Sequence, residues 1–159
     1  MKIPIEIAHF AVDVFSMKIL KIAVIALHFF VGMLGLLGGY AAVSTPAGPF
    51  GISTDILRNG PFSDFFIPGL TLLIVIGIGQ IATGIIVWKN ARFSPYVQGA
   101  MAAVTLGWIV IQCWVMEEIN AMHITIFAIG AAQGLYALSV VMKRKIFPAN
   151  IILKMLGKA

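Results

Sequence analysis

The chain has 159 residues, 60% of them hydrophobic and only 11% charged, which leaves too little polar surface to cover a water-soluble globule of that size. Its net charge of +5 does not point to nucleic acid, because the cations lie between apolar runs instead of clustering on one folded face; membrane topology accounts for them better. The single cysteine, Cys113, excludes an internal disulfide and C-x-x-C redox chemistry, and no metal cluster is expected.

Taken in chain order, residues 4–17 carry Glu6, His9, Asp13 and Ser16 at steps of three and four among apolar neighbours. That single polar stripe predicts a helix lying in the membrane interface, with Pro4 in its first turn and His9 as a surface-paired histidine. Lys18 and Lys21 interrupt the N-terminal apolar stretch, so it does not have the pattern of a signal peptide. A spanning helix needs about 20 mostly apolar residues, and four segments qualify: 19–43, 66–88, 96–116 and 122–142. The fold class is therefore an all-α membrane protein, a four-helix bundle within one domain.

The first span places His28, Gly32, Gly35 and Gly39 on one face, where small residues let a second helix approach closely. Residues 44–65 form a connection too long for a simple turn. Ser53 is placed to cap a short helix through Leu57, and Asn59-Gly60-Pro61 to end it. Phe50, Ile52, Leu57, Phe62, Phe65 and Phe66 are too many apolar side chains to leave in water, which predicts a lid folded over the mouth of the bundle. Pairing of Arg58 with Asp55, Asp64, Glu117 or Glu118 would pin that lid to the helix ends.

The second span carries Gly77, Gln80 and Gly84 on one face, and the fourth carries Gly130, Gln133 or Gly134, and Ala137. Residues 143–159 form a basic tail, with a second short interfacial segment and Lys154 and Lys158 available to lipid phosphates. Ten of the eleven cations fall on the side of the two termini and only Arg58 on the other, so the positive-inside rule puts both termini in the cytoplasm and the chain in a cytoplasmic membrane.

An uncompensated amide or imidazole is costly in hydrocarbon and should face protein or water. With a rise of about 1.5 Å per residue, His28, Thr105 and Gln133 each lie about 14 Å from the inner end of their span and Gln80 about 12 Å. Each helix thus offers one hydrogen-bonding group at a common level, either as an interhelical layer or as the floor of a pocket. At the outer mouth, Asp64, Arg58, Glu117, Glu118 and His123 supply ionisable groups, and Gln112 and Tyr40 are placed to line the same opening.

The segments L-H-F-F-V-G-M-L-G-L-L-G-G, G-P-F-S-D-F-F-I-P-G-L and G-W-I-V-I-Q, within residues 27–138, resemble an uncharacterised group of small bacterial four-helix membrane proteins. In layout alone the chain also resembles DoxX-like proteins. The resemblance implies the four-span topology and a bacterial inner membrane, and it carries no activity and no catalytic residues.

Three functions compete at this level. The first is a non-catalytic accessory or assembly subunit that binds another membrane protein or a second copy of itself. The second is a site that binds, or acts on, a lipid or quinone-like amphiphile between the lid and the polar layer; beyond such a bound molecule no cofactor is implied. The third is an oligomeric channel or transporter. No nucleophile–base pair, phosphate loop or metal-ligand spacing singles out an enzyme.

Overall fold

The computed structural model describes residues 5–156, with side chains from Ser16 onward. All regular elements among these residues are helical, and four are long and apolar enough to cross a membrane: Ser16–Ser44, Phe66–Trp88, Ser94–Met116 and Ala121–Lys143. These match the expected spans to within three residues.

Helix α1 runs from Ile5 to Ser44 without interruption. The interfacial helix expected over 4–17 is therefore not a separate element; it continues directly into the first span. The reason is local, because no glycine or proline occurs between Ile5 and Val31 and two lysines do not break a helix. At about 1.5 Å per residue α1 is about 60 Å long, twice the hydrocarbon thickness, so its N-terminal part extends beyond the apolar span. Pro4 and the polar stripe of Glu6, His9 and Asp13 lie outside the described backbone or side chains.

Helix α2 (Phe66–Trp88) contains a π-helical segment, Leu72–Ile78. Its i→i+5 bonding inserts about one extra residue, which rotates everything beyond it by about 100° relative to a regular helix. Helices α3 (Ser94–Met116) and α4 (Ala121–Lys143) complete the bundle, and a short α5 (Ala149–Met155) follows. Helix α1 packs along α2 and α3 along α4, and the two pairs join through α2–α3 and α1–α4 contacts.

The α1–α2 pair is the tightest, and its glycines are why. A methyl at Gly39 would lie 2.6 Å from the Leu73 Cα, and one at Gly35 would lie 2.8 Å from the Gly77 nitrogen. The two backbones touch there, as packing-driven association in lipid favours. The π segment spans this contact, since Leu73 and Gly77 both belong to it. In α4, Gly130 is less crowded and meets Leu106 and Thr105 of α3. The bundle interior is filled by Val31, Ile76, Met101, Ile109 and Ile126, with every span contributing.

The connection between α1 and α2 contains two 3₁₀ turns, Pro49–Gly51 and Thr54–Leu57, where one short helix was expected. Ser53 caps the second, its Oγ accepting the Asp55 amide at 3.2 Å. Leu57 and Phe65 are buried against Ala42 of α1 and Val115 of α3, with Phe62 packed beside them. Three other apolar residues do not join this lid: Phe50 remains 77% exposed, and Ile52 and Phe66 are exposed as well. Phe50 sits at φ +53 on its tight turn, where its neighbour Pro49 is the buried residue.

Candidate functional site

The four mid-depth polar residues meet. His28, Gln80, Thr105 and Gln133 are each 0% exposed. Gln80 is the hub: its Nε2 donates to Thr105 Oγ1 at 2.8 Å and to Gln133 Oε1 at 3.2 Å. Its Oε1 accepts from Gln133 Nε2 at 3.2 Å and is bonded to His28 Nδ1. Both protons and both lone pairs of the Gln80 amide are thereby occupied. Because the partner of His28 Nδ1 is a carbonyl-type oxygen, the proton of a neutral His28 is assigned to Nδ1. Thr105 hands its own hydroxyl proton back to the Met101 carbonyl at 2.9 Å.

All four spans are thus linked through side chains at one level. The layer extends toward the start of α3, where Gln98, 1% exposed, donates from Nε2 to the Gln133 carbonyl at 3.2 Å. Position along a helix made the level legible in advance, because rise per residue is fixed. Gln98 was missed, although it lies two turns before Thr105 on the same face of α3.

The outer-mouth residues do not form one site. Arg58, Glu117 and Glu118 line a cleft of about 280 Å³ together with Ile56, Val115 and Met116. Arg58 Nε donates to the Asp55 carbonyl at 2.7 Å within its own turn. The lid is tied to the bundle instead by Asn59, whose Nδ2 donates to Glu117 Oε1 at 2.6 Å. The expected ion-pair pin is therefore corrected to an amide–carboxylate bond. Glu117 terminates α3 in the left-handed region, at φ +48, a conformation that costs a non-glycine residue about 1–2 kcal/mol.

Asp64 has a different role from the one expected at the mouth: its Oδ1 accepts the Phe66 amide at 2.9 Å and so satisfies one free donor at the start of α2. His123 is 1% exposed and folded into a capping box. The Asn120 amide donates to its Nδ1 at 3.3 Å, while Asn120 Oδ1 accepts from the Met122 and His123 amides at 3.0 and 3.2 Å. Tyr40 is 68% exposed and lines neither outer cleft.

Gln112 lines a second cleft, of about 80 Å³, between the lid and the polar layer. Its walls are mostly apolar and include Leu57, Phe65 and Trp108. Trp108, one of the lining residues, has its Nε1 buried with no hydrogen-bond partner among the described residues; His28 Nε2 and His123 Nε2 share that state. An orphaned indole donor on a residue that lines an apolar cleft is a chemical signal the sequence did not give. Among the described residues no group of three or more His, Cys, Asp or Glu side chains is arranged to hold a metal. No protein-family model, curated protein or solved structure matches the chain.

Proposed function

We propose that this multi-pass membrane protein lies in a bacterial cytoplasmic membrane with both termini inside, and serves as a non-catalytic accessory or assembly module for another membrane protein or for copies of itself. The orientation is supported by the cations, which lie at the ends of the spans nearest the termini, with Arg58 the exception. The reading of function rests on one observation: the Gln80-centred layer directs its amides and hydroxyl at one another. Groups used in that way rigidify a bundle and fix its register. Native mass spectrometry of gently extracted protein tests the proposal. A stoichiometric second protein or a defined homo-oligomer is expected, and a lone monomer carrying a stoichiometric small molecule would overturn it.

The unpartnered Trp108 Nε1 favours a second reading, in which the cleft beneath the lid takes the head of an amphiphile with a hydrogen-bond acceptor, such as a lipid ester or a quinone carbonyl. Buried donors without acceptors are costly, and a ligand carbonyl would remove that cost. Trp108→Phe keeps the ring and deletes the donor. Loss of a co-purifying lipid or quinone in that variant supports the second reading, and retention of it rules the indole out as the anchor.

A further inference from the structure

At the end of the bundle opposite the lid, all four spans converge on a shallow notch. Lys21 comes from α1, Asn90 from the turn after α2, Ser94 and Gln98 from the start of α3, and Tyr136 and Arg144 from the end of α4. Lys21 Nζ donates to Asn90 Oδ1 at 2.5 Å and to the Trp88 carbonyl at 3.5 Å. An ammonium has three protons, so one remains. The described acids, Asp55, Asp64, Glu117 and Glu118, all belong to the opposite end of the bundle.

We propose that this notch binds a phosphate-type oxyanion, held by Lys21 and Arg144 and completed by the neutral donors between them. Besides the two cations, the Ser94 and Tyr136 hydroxyls, Asn90 Nδ2 and the second proton of Gln98 Nε2 donate to nothing among the described residues. Of these residues, Ser94 (6% exposed) and Gln98 (1%) are buried, Tyr136 is half-buried and Asn90 is exposed, and all four line the notch. A phosphate offers several strong acceptors on one small group, which suits two cations and several neutral donors gathered at one place. The N-terminus of α3, which opens beside Ser94, adds the positive end of a helix dipole.

The same level carries exposed aromatic rings, Trp88, Phe93, Tyr96 and Phe147. Tyr96 OH donates to the Phe147 carbonyl at 2.7 Å, fixing two of them together. A belt of this kind marks the membrane–water boundary, where phospholipid phosphates reside. The oxyanion is therefore supplied either by an anionic phospholipid headgroup or by free phosphate from the aqueous side.

The test uses the full chain in a neutral detergent. Binding of phosphatidylglycerol and of phosphatidylcholine is measured by native mass spectrometry, and inorganic phosphate is titrated calorimetrically and as a competitor. Phosphatidylglycerol is expected to bind at least about tenfold more tightly than phosphatidylcholine, the preference being lost in Lys21→Gln/Arg144→Gln and kept in Lys89→Gln, whose cation lies outside the notch. Preferential lipid binding that millimolar phosphate does not displace assigns the site to the headgroup; saturable phosphate binding without lipid preference assigns it to the free anion. Should the charge variants fail to fold, Ser94→Ala/Tyr136→Phe removes two neutral donors and should weaken binding severalfold. Equal binding of both lipids together with no binding of phosphate overturns the proposal, as does a preference that survives loss of both cations.

Discussion

Gln80 and Gln133 form a reciprocal pair, each amide donating its Nε2 proton to the other's Oε1 at 3.2 Å with both side chains fully buried. The pair joins α2 to α4 across the bundle, and His28 and Thr105 close the ring of helices around it. Because the Gln80 amide is fully used and only His28 Nε2 in the layer has no partner among the described residues, the layer tolerates its depth in the bundle; removing Gln80 leaves its partners unpaired.

Gln80→Ala should therefore lower unfolding free energy in micelles by about 2–4 kcal/mol, combining lost interhelical bonds with orphaned partners. A double-mutant cycle with Gln133→Ala should give a coupling of about 1–2 kcal/mol. Additive losses would show that the pair does not act as a unit.

The α1–α2 contact gives a contrast between glycines. Gly39→Ala places a methyl 2.6 Å from the Leu73 Cα, so the helices must separate at a cost of about 1–3 kcal/mol. A methyl at Gly107 meets nothing within 4 Å, and Gly107→Ala should be neutral or stabilising by up to about 1 kcal/mol. Thermal unfolding of both variants in one detergent checks the pair, and equal effects would contradict the packing.

Asn120 caps α4 with two accepted amides. Asn120→Ala should cost about 1 kcal/mol and Asn120→Asp much less, since the carboxylate retains the acceptor. Comparing the two melting temperatures tests the cap directly.

The lid depends on Asn59 more than on Arg58. Asn59→Ala removes the 2.6 Å bond to Glu117 and should speed amide exchange over residues 53–62 severalfold while leaving the spans protected. Arg58→Ala should leave α3 exchange unchanged, because its Nε bond stays within the loop. The reverse order of effects would restore the arginine as the pin.

What the sequence determined by itself follows from properties that are local along the chain. Span positions come from runs of apolar residues, and the level of His28, Gln80, Thr105 and Gln133 comes from the fixed rise of a helix. Ser53 as a cap was legible for the same reason, since its partner is two residues away. The tertiary structure decided which way each helix turns and which neighbour it meets. The π segment re-phases α2, the approach of Gly39 to Leu73 sets the α1–α2 distance, and the Asn59–Glu117 bond joins residues 58 positions apart. The notch at Lys21 and Arg144 needed the ends of all four spans in place. Such features depend on rotation about each helix axis, and in lipid that rotation is settled by side-chain packing between helices, which hydropathy along one chain does not encode.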